Sequence, residues 1–469
     1  MKPPSRPQSA LSERDRFYAA ALLFVAQIFD YADRQVVSVL LPAFKRSLDL
    51  SLVQASLIQG FAFSLFFALA GLPLGRAADR MNRRNLMAIG IVMWSLATVA
   101  CGLSHSFWQL FLARMSVGVG EATLMPATAS LLADYYAANQ RGRAINFVQS
   151  GASIGTIVAT LGGGWLLTWF DRSGVLARLG LPLENWQAVF LTLGGPGLVL
   201  AALLMGIKEP PRREDAPQAD QTERGFLDTF RKHPAAFIGL FGLQTFVTME
   251  AYAILSWTPT ILMTSYGQSP GAAGAIMGLM VTVSGFGAYL LSGVSSDLLI
   301  RWRPRNGRVW LPGAILPFGI AALVWLDHSR GLAGATLALG LALFTGAAIA
   351  ACGNPALQAI VPGKQRGVAI ALSGMINTLV GLGIAPTIVA ARAQMTGTME
   401  RGLQHSLAVV CVATMAAAML LWPFLIRAYA RSRNYELEER EQPLAAHGAR
   451  ATGPRDTQTS AKKAPLAPS

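Results

Sequence analysis

Twelve apolar stretches, each long enough to cross a bilayer, recur along this chain with short polar joints between most of them. They fall at roughly 17–41, 53–75, 85–104, 107–136, 143–168, 186–207, 235–266, 271–296, 309–326, 332–360, 366–391 and 402–430. About 20 apolar residues span the hydrocarbon core as a helix. Lipid offers the backbone no hydrogen-bond partners, so spans of this kind close their hydrogen bonds internally as helices. A soluble helical core could hide one or two such stretches, but not twelve. The chain is expected to be an all-α integral membrane protein.

Charge supports that reading and orients it. Only 14% of residues are charged, against about 25% in a soluble domain. The net charge of +14 could belong to a nucleic-acid binder, but its distribution excludes this. Arg76, Arg80, Arg83, Arg84, Arg141, Arg143, Lys208, Arg212, Arg213, Arg224, Arg231, Lys232, Arg301, Arg303, Arg305, Arg308, Lys364 and Arg366 all fall on one side of the expected membrane. The opposite loops carry far fewer bases. This is the positive-inside bias, and it sets both termini in the cytoplasm of a multi-pass protein of the cell membrane, a bacterial inner membrane. Residues 1–16 are polar and basic, so insertion falls to the first helix itself. Cys101, Cys352 and Cys411 lie inside apolar spans without a CxxC, and the five histidines show no ligand spacing. No metal or cofactor is expected.

The spans divide six and six around the polar segment 208–234. Expected units are an N-terminal segment 1–16, a first half 17–207, a central loop 208–234, a second half 235–430 and a disordered tail 431–469. Within the loop, Phe226, Leu227 and Phe230 beside Arg224, Arg231 and Lys232 suit a short helix on the membrane surface. The halves repeat each other. Gly75-Arg76-Ala77-Ala78-Asp79 follows the second span and Gly293-Val294-Ser295-Ser296-Asp297 follows the eighth; Gln140-Arg141-Gly142 opens the fifth and Gln365-Arg366-Gly367 the eleventh. Twelve transmembrane helices in two pseudo-symmetric six-helix halves place a substrate site at the midplane between them. The glycines 151, 155, 162, 163 and 164 of the fifth span suit close helix contact.

Charges inside the spans locate the chemistry. Asp30, Asp33 and Arg34 sit mid-membrane in the first span, at i, i+3 and i+4, so they are expected to share a helix face. Arg114 and Glu121 lie two turns apart in the fourth, with Glu121 at the depth of Asp30. Ionisable groups at this depth are costly and mark a pathway. Three acids against two bases leave one surplus carboxylate, a natural proton carrier. Asp30, Asp33 and Glu121 are therefore the expected proton-coupling groups. Arg34 and Arg114 are expected to hold an anionic substrate group. Glu250, Tyr252, Trp257 and Asn377 complete the expected substrate site from the second half, where Glu250 is the acid nearest mid-span.

The loop Gly75-Arg76-Ala77-Ala78-Asp79-Arg80-Met81-Asn82-Arg83-Arg84 resembles motif A of the major facilitator superfamily, and the run from Arg114 to Ala122 resembles its fourth-helix signature RxxxGxGxA with an acid inserted. Asp30-Tyr31-Ala32-Asp33-Arg34 with Gly118-Val119-Gly120-Glu121-Ala122 resembles the spinster branch, as do the loop 138–144, Trp257-Thr258-Pro259 and Tyr266-Gly267. The superfamily resemblance covers about 17–430. It implies the major facilitator fold and a cytoplasmic gate at Gly75, Asp79, Arg80, Arg83 and Arg84, joined by Asp134 and Arg141, with Asp297 as a degenerate copy. The spinster resemblance implies lysophospholipid or sphingolipid-like substrates.

The expected activity is proton-coupled secondary active transport by alternating access, in a monomer surrounded by membrane lipids. The alternatives are a proton-coupled carrier of small organic anions such as sugar acids, and a transporter-like receptor or sensor. No enzyme is expected, because Walker loop, metal cluster and nucleophile elbow are missing from the sequence.

Overall fold

The computed structural model of this protein describes residues 12–212, 219–302, 307–396 and 399–451. Among them twelve long helices run in chain order. They are α1 (Glu13–Ser47), α2 (Leu52–Arg80), α3 (Arg83–Gly102), α4 (Phe107–Glu121, resuming as Leu124–Tyr135), α5 (Ala138–Ser173) and α6 (Asn185–Leu204). After the central loop come α7 (Pro234–Thr264), α8 (Pro270–Trp302), α9 (Gly307–His328), α10 (Leu332–Ile360), α11 (Arg366–Met395) and α12 (Met399–Ala451). Nine of these contain spans long and apolar enough to cross a membrane. The other three are α1, which carries the buried charges, α4, which is broken, and α8, whose apolar segment covers Pro270–Gly285.

Helices α1–α6 pack on one another, with α1 against α5, α3 against α6 and α2 against α4. Helices α7–α12 do the same, with α7 against α12 and α9 against α10. The first two helix starts are capped as their sequences dictate: Ser12 and Asp15 form a capping box before α1, and Ser51 and Gln54 another before α2. Helix α5 ends at Gly174, whose φ of 58° is left-handed.

Three expectations about the elements change. The stretch 107–136 is not one helix: it breaks at Ala122 and Thr123, just after Glu121. Pro126 cannot donate to Ala122 and its ring crowds that carbonyl, so the regular ladder fails there. Helix α12 runs to Ala451, well past the expected end of its span at 430. That stretch is rich in Ala, Leu, Glu and Arg, which are good helix formers; 452–469 of the expected tail lies outside the described residues, as do 1–11. The surface helix of the central loop is Ala219–Lys232, and Phe226 and Phe230 lie 5.6 and 5.5 Å from the Phe237 ring of α7, while Leu227 is exposed.

The halves meet at the end of the bundle away from the central loop. Gln59 Nε2 of α2 donates to the Ser256 carbonyl of α7 at 3.1 Å, and Ser56 Oγ donates to Thr387 Oγ1 of α11 at 3.3 Å. Both α2 and α11 turn π-helical at their contact, over Leu57–Phe61 and Thr378–Ile384. A Cβ on Gly60 would come within 2.0 Å of the Leu382 carbonyl oxygen, so only glycine permits this approach. A matching seam joins α5 to α8, where a Cβ on Gly274 would meet the Thr160 carbonyl oxygen at 2.0 Å.

Candidate functional site

The first and fourth helices deliver a buried charge cluster into the middle of the bundle. Helix α4 reaches α2 and α3 closely because Gly118 and Gly120 carry no side chain; a Cβ at Gly118 would be 2.4 Å from the Phe63 carbonyl oxygen. The RxxxGxGxA spacing thus brings Glu121 to Arg34. Arg34 Nη2 donates to Glu121 Oε2 at 2.8 Å and to Asp30 Oδ2 at 3.3 Å. Gln27 Nε2 also donates to Asp30 Oδ2, at 3.3 Å. One nitrogen of the guanidinium therefore serves both acids, while its Nε has no hydrogen-bond partner among the described residues. The guanidinium carbon lies 4.8, 4.6 and 5.2 Å from the rings of Tyr31, Phe63 and Phe67, so an aromatic box holds the charge.

Asp33 turns away from this pair. Positions i and i+4 differ by 40° around a helix, whereas i+3 lies on the other side of i, so Asp30 and Arg34 share a face that Asp33 leaves. The expected common face of all three residues is thereby corrected. Thr98 Oγ1 of α3 donates to Asp33 Oδ2 at 2.5 Å. Asp33 lines a small crevice with Phe29, Trp94, Ser95 and Gly194. Arg114 is fully buried, 5.6 Å from the Phe63 ring, and acts electrostatically on Asp33. None of its three guanidinium nitrogens has a hydrogen-bond partner among the described residues. Donors of a permanently charged group do not stay empty cheaply, so this site has capacity for an acceptor.

From the second half, Tyr252 of α7 lies near Arg34 and packs against Gly381 of α11. The other expected substrate residues sit elsewhere. Trp257 is fully buried and its Nε1 donates to the Pro386 carbonyl at 3.0 Å, tying α7 to α11. Asn377 accepts from Thr245 Oγ1 at 3.1 Å within the same helix pair. Glu250 is buried against Gly346 of α10, with neither carboxylate oxygen hydrogen-bonded among the described residues. Each of the three bonds or packs within α7–α12. Sequence reading could not say which way each faces.

At the central-loop end, the ion pairs centre on Arg83 rather than Asp79. Arg83 is buried; it pairs with Asp134 of α4 through Nη1 and with Glu209 through Nε at 2.7 Å. Its Nη1 and Nη2 also donate to the Ser130 and Pro210 carbonyls. The Arg84 backbone N–H donates to Glu209 Oε2 at 3.1 Å, and Arg84 Nη1 reaches the Met205 and Ile207 carbonyls. Arg141, expected in the same gate as Asp134, donates to the Ala133 carbonyl, and Arg80 is exposed. Asp79 is exposed and has no ion-pair or hydrogen-bond partner among the described residues, beside a half-buried Gly75. The side chain of Asp297 lies outside the described residues. Glu209 was missed, because it sits in a polar loop where one more acid carries no pattern.

The Major Facilitator Superfamily profile matches residues 23–386. The chain belongs to the major facilitator superfamily. This superfamily member is similar to an MFS-type efflux pump of Mycolicibacterium smegmatis, 28% identical over 401 residues that cover 82% of this chain and 88% of the relative. A probable L-galactonate transporter of Escherichia coli is 26% identical over 310 residues, 63% of this chain and 64% of the relative. Protein spinster homolog 1 of Xenopus tropicalis is 28% identical over 406 residues, 81% and 73% of the two chains. Among solved structures, a bacterial homolog of the human lysosomal transporter spinster, in an inward-facing and unoccupied conformation, superposes with a TM-score of 0.76 at 26% identity. That match covers 91% of this chain and 98% of the other. The protein is thus a spinster-like, multi-pass membrane transporter of all-helical fold, and not an enzyme.

Proposed function

We propose that this transporter couples proton movement to alternating-access transport of an amphipathic anionic solute such as a lysophospholipid or sphingolipid-like molecule. The observation that carries the reading is the geometry around Arg34 and Arg114. Arg34 is held by two carboxylates through a single nitrogen, and Arg114 has no bonded acceptor among the described residues. A guanidinium so placed can trade a carboxylate for a substrate anion, because its fork accepts either. When the substrate anion takes Arg34, Glu121 or Asp30 loses its counter-charge in a buried setting and is neutralised by a proton. Proton and substrate are then linked through one shared cation. Phe63, Phe67, Tyr31 and Tyr252 would line the path of an apolar tail.

In this reading both termini and the central loop are cytoplasmic, the protein is a monomer, and the arrangement described is closed outside and open inside. The contacts between halves at the end away from the central loop, the unpaired Asp79 and the likeness to an inward-facing structure support it. The same arginines also suit a sugar acid, and the relative named as a probable L-galactonate transporter favours that second reading. Purified protein in proteoliposomes, offered a labelled lysophospholipid or a labelled hexuronate, separates them. Lysophospholipid transport that hexuronate does not compete is expected. Saturable hexuronate transport with an inert lysophospholipid would overturn the lipid assignment and keep the anion site.

A further inference from the structure

A groove edged by bases lies on the outside of the bundle, where the central loop enters α7 beside residues 424–432 of α12. It encloses about 730 Å³ of empty space, part of it open to solvent, and is rimmed by Lys232, His233, Arg427 and Arg431. No acid lines it among the described residues. Its floor is small, made by Ala235, Ala236 and Ala428. The bases come from two elements that are distant in sequence, so the concentration of positive charge is a product of the fold.

The setting identifies the occupant. Leu420, Phe424, Arg427 and Arg431 follow one another at intervals of four, three and four, so they form one stripe along α12. Leu420 is 82% and Phe424 51% exposed, and Ile238, two residues after the groove-lining Ala236 of α7, is 56% exposed. The stripe is apolar at Leu420 and Phe424 and basic at Arg427 and Arg431. The neighbouring surface helix Ala219–Lys232 packs its Phe226 and Phe230 on Phe237 of α7, as a helix lying at the head-group level of a membrane would. A soluble anion would need the bases but not the apolar stripe beneath them; a diacyl phospholipid uses both. Basic pockets between helix ends on the cytoplasmic side suit anionic head groups.

We infer that this groove binds the head group of an anionic diacyl phospholipid, with its chains along Phe424, Leu420 and Ile238, separately from the central transport site. Bound there, the lipid would fasten residues 424–432 of α12 to the start of α7 on the side where the halves must open and close.

Native mass spectrometry of the full-length protein tests this with a diacyl phosphatidylglycerol, a phosphatidylcholine of the same chains and inorganic phosphate as competitor. The wild type is expected to retain phosphatidylglycerol over phosphatidylcholine. The double variant Arg427→Gln/Arg431→Gln should bind it about tenfold more weakly. The charge-matched double variant Arg46→Gln/Arg143→Gln, at exposed positions elsewhere, should bind as the wild type does. Should the groove variant fail to elute as a folded protein, Arg431→Gln alone offers the same comparison with a smaller loss. Equal retention in groove variant and wild type, equal retention of the two lipids, or displacement of the lipid by phosphate would each overturn the inference. The readout is binding without transport, so it is independent of the assignment of the central site.

Discussion

Glu121 and Arg34 form the shortest ion pair of the central cluster, at 2.8 Å, and each supports a distinct expectation. Glu121→Gln keeps size and a hydrogen-bonding oxygen while removing the charge that titrates. It is expected to abolish gradient-driven accumulation yet leave exchange of substrate down its own gradient measurable, as assayed in vesicles. Wild-type accumulation by this variant would remove Glu121 from the coupling role. Arg34→Lys replaces a forked donor by a point charge, and Arg34→Ala removes the charge altogether. Loss of charge-assisted hydrogen bonds predicts about tenfold weaker equilibrium binding of an anionic substrate for Lys and near-complete loss for Ala. If Arg34→Ala binds as tightly as wild type at fixed pH but fails to transport, Arg34 serves the acids alone. Part of this cluster was legible from spacing: Asp30 and Arg34 at i, i+4 meet as expected, and depth alone aligned Glu121 with them. Asp33 was not, because its partner Thr98 is a neutral residue on a neighbouring helix and carries no charge pattern. Trp257 and Asn377 escaped correct placement for a related reason: a polar edge on an apolar helix bonds equally well to its own half or to a cavity.

At the scale of elements, Arg83 fastens α3, the end of α4 and the segment after α6 into one unit through Asp134 and Glu209. Removing one partner of a buried pair strands the other, at about 3 kcal/mol or more. Arg83→Ala is therefore expected to lower the melting temperature of the purified protein clearly. Glu209→Gln, which keeps a hydrogen-bonding oxygen beside a half-open loop, should lower it much less. Equal melting of all three proteins would show that the unit is held by other contacts. Asp79 belongs to a different event. It is exposed in this arrangement, so Asp79→Asn is expected to change the rate or balance of the conformational cycle and spare equilibrium substrate affinity. A large affinity loss with normal turnover would move Asp79 into the binding site. Motif A was readable as a loop at the end of α2, but its split into a buried Arg83 and an unpaired Asp79 was not, since Glu209 comes from 126 positions downstream.

For the whole molecule, the all-helical membrane fold was the most legible part, because length and apolarity are local properties that lipid enforces one helix at a time. Which end is closed is set by packing between the halves, where Gly60 meets Leu382 and Gly274 meets Thr160. Gly60→Val cannot be accommodated without parting α2 from α11. Ser56→Cys, beside Thr387 in that seam, should resist a water-soluble thiol reagent in the wild-type background and react once Gly60→Val is added. The three native cysteines are buried and give little background. Continued protection in the folded double variant would mean that the seam adjusts in place. The coupling itself is tested most directly by transport driven by a pH gradient alone. In proteoliposomes without a substrate gradient, an imposed pH difference should concentrate labelled anionic solute in the wild type, reverse its direction when the gradient is reversed, and do neither in Glu121→Gln. Concentration of solute that is indifferent to the sign of the gradient, or that persists unchanged in Glu121→Gln, would contradict proton coupling through this cluster.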